Sequence, residues 1–326
     1  MSSSKEKIFS KAVAIQHGDA PIRASKLPAF LPFPLLVLLS LTLSSLLYSF
    51  VAEYMEGDLA SVARKLDQWH EVGAMVGWRT FELGLGWFGG YDGYDLFALS
   101  LLSHGPPLYL LAAFYDVRLT TVLSSLLIDS ITIYVPFRLL RPLSPAHAAS
   151  AEHGTVPNRE IVTDFSIQVY VEVLAAGIYS VTLYGAYASY LPVYLVTYFS
   201  GIPSIAIAHT ATLITLFPIA LALGLAAKTF IFTPAVTAST KKVAPVDTEE
   251  TTLSETFWYN VWGFSERTRV VIKRTAALML VSGVNTFVHT FVTMDGVEAT
   301  GAAAYAAVWV LASGLTGLAV GIVSAA

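Results

Sequence analysis

Apolar positions along this chain come in long unbroken runs, not in the spaced stripes of a water-soluble helix. Residues 33–52 read FPLLVLLSLTLSSLLYSFVA, and residues 205–227 read IAIAHTATLITLFPIALALGLAA. About 20 apolar residues in a helix cross a hydrocarbon layer about 30 Å thick. Seven segments meet that measure, at about residues 33–52, 94–115, 118–138, 163–187, 205–233, 270–292 and 300–324. The pattern predicts an all-α fold: a polytopic integral membrane helical bundle of about eight (seven to eight) transmembrane helices. A basic cytosolic tail at 1–32 precedes a single bundle at 33–326.

The eighth segment, 70–90, is glycine-rich and contains Arg79 and Glu82. Each charge costs about 2.5–3.5 kcal/mol at the centre of a spanning helix, so hydropathy alone reads it as interfacial or re-entrant. The distribution of Lys and Arg argues for a crossing. Cytosolic loops collect basic residues. With eight spans and a cytosolic N-terminus, the tail (Lys5, Lys7, Lys11, Arg23, Lys26), Arg138, Arg141, Arg159, Lys228 and the cluster from Lys241 to Arg274 all face the cytosol, leaving Arg64, Lys65 and Arg118 outside and Arg79 within the bilayer. With seven spans and the same start, every later loop inverts. The favoured layout puts loops 138–162 and 234–269 in the cytosol. The tail is serine-rich and basic, as a mitochondrial presequence is, but reads better as a cytosolic tail, and no small-residue cleavage site precedes the first span. An endomembrane or the plasma membrane is therefore expected in preference to mitochondria, with the first span as an uncleaved anchor.

Two loops stand out. Residues 185–204 carry no charge but hold Tyr187, Tyr190, Tyr194 and Tyr198, with Pro192 and Pro203, which suits a hairpin at the interface on the outer side. The loop at 234–269 is polar at first. It then runs SETFWYNVWGFSERTRVVIKR, a mixture of aromatic and basic residues that suits a helix on an anionic inner leaflet or a docking site for a protein partner.

Composition narrows the function classes. Charged residues make up 13% of the chain and its mean hydropathy is +0.63, against about 25% charged in soluble domains, so membrane lipids are the expected surroundings. The net charge of −4 points away from nucleic acid. No cysteine occurs, which removes disulfides, thiolate nucleophiles and cysteine-based metal sites. Walker A, GxSxG, HExxH and Rossmann patterns are missing. DGYD at Asp92–Asp95 has some likeness to the aspartate-rich motifs of membrane prenyltransferases but lacks their second motif. His147, His153 and Glu152 show no metal spacing and read as solvated. No metal or cofactor is expected.

Candidate chemistry lies in polar residues inside the spans, which lipid cannot satisfy. Asp129 shares one helical face with Ser125, Thr132 and Pro136. Glu172 shares a face with Gln168 and Tyr179. Ser282, Asn285 and His289 form a third stripe, and His209 lies in IAIAHTATL. Arg79 and Glu82, if buried, are spaced to neutralise each other. These stripes either hold the bundle together by interhelical hydrogen bonds, each worth about 0.6 kcal/mol, or meet around a polar cavity. In the second case Asp129 and Glu172 are the binding, coupling or catalytic acids, and His289, Asn285, His209 and Gln168 are binding partners. The leading expectation is a transporter or channel for a small solute or ion. The alternatives are an intramembrane enzyme acting on a lipid or isoprenoid with terpene-cyclase-like acid chemistry, and a membrane scaffold or assembly factor using loop 234–269. The small-residue stripe Ser313, Gly317 and Gly321 is expected to pack against another helix of the same chain.

Overall fold

Several of the long helices begin where a capping side chain or a proline meets the start of an apolar run. In this computed structural model, residues 28, 30–55, 57–65, 68–148, 156–238 and 263–325 are described. Most of the expected tail at 1–32, and residues 239–262 of the expected 234–269 loop, lie outside them. Helix α1, Pro32–Val51, has proline in its first turn, where the missing N–H costs nothing. After α2 (Asp58–Val62) comes α3, Trp69–Phe88. Helix α4, Gly93–Phe114, opens on a reciprocal capping box between Asp92 and Asp95, so the DGYD motif is a helix start. Helix α5 is Leu119–Leu140, and the short α6 is Arg159–Thr163. Asp164 caps α7, Phe165–Ala188.

The next apolar run differs from its expected boundaries. Helices α8 (Leu191–Tyr198) and α9 (Ala206–Thr210) are short. Ala211 is extended, and the pair Thr212 and Thr215 caps a new helix, α10, Leu213–Ala227. The membrane-length helix thus starts at Leu213 instead of residue 205. It continues through a π turn, Lys228–Phe232, into α11, Thr233–Val236. Helices α12 (Glu266–Thr293, capped by Ser265) and α13 (Ala299–Ala325) complete the chain. Among the described residues there is no strand, only isolated bridges pairing Ala63 with Met294 and Phe199 with Val297.

Seven of these helices are long and apolar enough to cross a membrane: α1, α4, α5, α7, the continuous α10–α11, α12 and α13. Helix α3 misses on hydropathy, not on length: its 20 residues span about 30 Å at 1.5 Å per residue. Contacts at its two ends show that it runs through the bundle. Near its start, the Arg64 amide donates to Thr293 O and that of Asp295 to Val62 O. At its far end, Arg141 binds the carbonyls of Trp87 (2.7 Å) and Tyr91 (3.0 Å), and Phe33 at the start of α1 meets Phe88. Among the described residues, eight helices therefore run from end to end in alternating directions. Residues 52–55, 57–65, 115–118, 189–212 and 293–298 gather at one end. The start of α1, the Asp92 turn, residues 141–148 and the close of α13 gather at the other.

The stretch read as an outer hairpin is the helix α8 and its flanks, tied to loop 293–298 by hydrogen bonds from the Ser200 amide to Gly296 O (2.9 Å) and the Glu298 amide to Tyr198 O (3.0 Å). Two glycines mark the closest helix approaches. A Cβ at Gly224 would lie 2.4 Å from Glu172 O, and one at Gly317 would lie 2.1 Å from Thr275 Oγ1. The Gly317 stripe thus packs α13 on α12. Trp309, Tyr305, Phe114 and Phe137 fill the interior, while Leu46, Phe50, Leu318 and Ile322 are exposed, an outward apolar surface uncharacteristic of soluble proteins.

Candidate functional site

Two consecutive prolines in α4 organise the centre of the bundle. Pro106 and Pro107 lack N–H groups, so the carbonyls four residues earlier, on Leu102 and Ser103, have no helical donor. The polar stripe of α12 supplies donors. Ser282 Oγ donates to Leu102 O (3.1 Å), and Asn285 Nδ2 donates to Ser103 O (2.8 Å). Asn285 Oδ1 accepts from Trp78 Nε1 at 2.8 Å, which fastens α3 to the same point.

Beside this junction lies a cavity of about 410 Å³. Its polar part joins five helices. Arg79 Nη1 and Glu82 Oε2, one turn apart on α3, lie 3.4 Å from each other. Arg79 Nη2 donates to Thr132 Oγ1 (2.8 Å) and to Asp129 O (3.4 Å) on α5. The hydroxyl of Tyr48 on α1 donates to Asp129 Oδ1 at 3.1 Å. His104 on α4 approaches Glu82 Oε2 at 3.9 Å, and its ring centroid is 5.5 Å from that of His289 on α12. Leu41, Met75, Leu108 and Leu111 form apolar walls, and Leu59, Val62 and Met294 close one end.

Of the residues singled out from the sequence, Asp129 and His289 line this cavity, and Asn285 braces its wall. Glu172 does not join them. It lies 3.5 Å from Lys228 Nζ, which also donates to Gln168 Oε1 at 3.3 Å, so Glu172 and Gln168 tie α7 to the π turn after α10. His209 is exposed on α9, outside the membrane-length helix that the sequence assigned to it. Tyr48, Trp78 and His104 are wall residues that sequence reasoning passed over. The HGPP string at 104–107 was the available signal, because prolines inside a helix call for outside donors.

A second polar cluster sits at the end of the bundle that holds residues 141–148. Arg274 on α12 grips Asp95 through Nη1 (2.6 Å) and Nη2 (2.9 Å), and Nη1 also donates to Phe230 O at 2.8 Å. Its guanidinium lies 4.8 Å from the centroid of the Tyr91 ring. Asp92 Oδ2 accepts from the Ser144 amide and lies 2.8 Å from His147 Nδ1, so His147 is partly buried and paired with a carboxylate, in contrast to its solvated reading. Burial opposes ionisation of Asp92, but the His147 hydrogen bond and charge, with the amides of Asp95 and Ser144, hold its carboxyl well below the usual carboxylate range. Burial by itself would lower His147; the hydrogen bond to Asp92 and its charge outweigh this and raise it. Asp92, Asp95 and His147 present ligand atoms within 4.8 Å of one another. Arg274 already engages both oxygens of Asp95, so the trio reads as an ion-pair network. His153 and Glu152 lie outside the described residues.

These features define the class: an all-helical bundle with seven helices long and apolar enough to cross a membrane, fastened by buried polar contacts around an internal cavity. Residues 164–316, α7 to most of α13, match the sequence model of the family described as the Bouquet formation protein 3 C-terminal domain. No curated protein and no solved structure matches the chain. His289 and Asn285 fall within the matched span, whereas Tyr48, Arg79, Glu82, His104 and Asp129 precede it.

Proposed function

We propose that the protein is a membrane-embedded scaffold or assembly factor that acts in bouquet formation. The observation that carries this reading is the match of residues 164–316 to the Bouquet formation protein 3 C-terminal domain. The use of interior polar groups supports it. Asn285 and Ser282 satisfy proline-freed carbonyls, and Arg274 and Lys228 are held by carboxylates on neighbouring helices. In this reading the polar stripes hold helices in fixed positions, as a platform for other proteins requires.

The chain then crosses an endomembrane or the plasma membrane eight times, α3 included, with the Asp92 end in the cytosol. The aromatic and basic segment within 234–269 is the docking site for a protein partner. In cells lacking their own copy, the full chain restores bouquet formation, and a chain deleted for residues 239–262 reaches the membrane at normal levels without restoring it. Full activity of the deleted chain overturns the docking role. A second reading, transport of a small solute or ion, draws on the cavity at Asp129. Solute flux through the purified protein in liposomes, lost in Asp129→Asn, is the result that favours it.

A further inference from the structure

We propose that the cavity between α1, α3, α4, α5 and α12 binds an amphiphile whose polar end is a protonated amine and whose chain lies against the apolar wall. The charge count inside the cavity is the first argument. It holds two carboxylates, Glu82 and Asp129, one guanidinium, Arg79, and two imidazoles, His104 and His289. Arg79 contacts the carboxylate of Glu82 but only the main-chain oxygen of Asp129, whose own carboxylate receives the neutral hydroxyl of Tyr48. The Asp129 carboxylate thus receives no hydrogen bond from a cationic side chain, and a charge at this depth is costly without a close partner. An ammonium supplies both the charge and the hydrogen-bond donors.

The walls are the second argument. Tyr48, hydrogen-bonded to Asp129, and Trp78 both line the cavity, and aromatic rings attract cations, most strongly where water is excluded. The volume of about 410 Å³ lies in the range of small-molecule pockets, which combine apolar walls with a few placed polar groups. Access is the third. Helix α3 buries no side chain before Glu82, and α1 buries only Leu36 and Ser40. The side of the cavity bounded by these two helices therefore faces the surrounding apolar phase, and an alkyl tail leaves between them.

The test uses the purified full chain in phosphatidylcholine nanodiscs, with dodecylamine, dodecanol and dodecanoate as probes. A ligand that binds the folded state raises its melting temperature. Dodecylamine is expected to raise it saturably, while the alcohol and acid of equal chain length do not. Asp129→Asn weakens the amine about tenfold or more, as loss of a charged hydrogen bond does. Leu108→Trp, which fills the cavity and keeps Asp129, also removes the effect. Equal responses to amine and alcohol in the wild-type chain overturn the proposal without recourse to any variant, as does an amine response that survives Leu108→Trp. Adding phosphatidylethanolamine to the discs separates the sources. A weakened dodecylamine response identifies a lipid headgroup as the occupant, and an unchanged response identifies a free long-chain amine.

Discussion

Asn285 on α12 donates to the carbonyl of Ser103 on α4 at 2.8 Å, the carbonyl that Pro107 leaves without a helical partner. The same amide accepts from Trp78 Nε1, so one side chain joins three helices. Asn285→Leu leaves a buried acceptor and a buried donor unpaired, at about 1–3 kcal/mol each. The melting temperature in detergent is expected to fall. Adding Pro107→Ala restores an N–H to Ser103 and should recover part of the loss. A double variant no more stable than Asn285→Leu alone rejects this account of the stripe.

Arg274 and Asp95 form the tightest buried ion pair at the opposite end of the cavity-bearing helices, with Asp95 1% exposed. Arg274→Leu strands that carboxylate, and breaking a buried pair in this way costs about 3–5 kcal/mol. Arg274→Lys is expected to restore only part, because a point charge cannot hold both oxygens and Phe230 O together. Chemical or thermal unfolding of the three proteins checks the ranking.

The Asp92 and His147 pair gives the structure a pH window. His147 is raised by its partner, so its contribution is complete below the ordinary histidine value of about 6.5 and fades as pH climbs through the raised folded value. Asp92 is lowered, so its contribution is complete above about 3.9 and fades as pH falls through the lowered folded value. Protection of the 141–148 backbone in hydrogen exchange should therefore be greater near pH 5.5 than at pH 9. In His147→Gln the alkaline decline should flatten. An unchanged decline in that variant removes the pair as its cause.

The path of α3 yields a labelling experiment, which the lack of cysteine in this chain makes clean. Gln68 and Pro145 are exposed at opposite ends of the bundle. If α3 crosses the membrane, Gln68→Cys and Pro145→Cys react with an impermeant maleimide from opposite sides. Reaction of both from one side means seven crossings and rules out the eight-crossing layout.

The helices were legible because an apolar outward surface leaves a plain mark on a sequence: long apolar runs, broken where Asp92, Asp164, Thr212 or Ser265 can cap the next helix. Hydropathy argued against α3 as an end-to-end helix, and the distribution of Lys and Arg argued for it. Arg79 and Glu82 are tolerated there because they face each other, Thr132 and the cavity instead of the outer surface. The split of the 205–233 run was written in Thr212 and Thr215, but a window average hides a local cap.

By itself the sequence determined the class of the chain, the placement of most helices and the identity of the polar residues that lipid cannot satisfy. Each of these follows from local composition and period. Which polar residues meet was decided only by the tertiary structure. Helical period places Asp129 and Glu172 equally well on inward faces, yet packing brings Asp129 to Tyr48, Arg79 and the cavity, and Glu172 to Lys228 on another flank. Neighbours across helices are set by crossing points, such as Gly224 against Glu172 O and Gly317 against Thr275. Those crossings depend on the fit of whole surfaces, which no single stretch of sequence encodes.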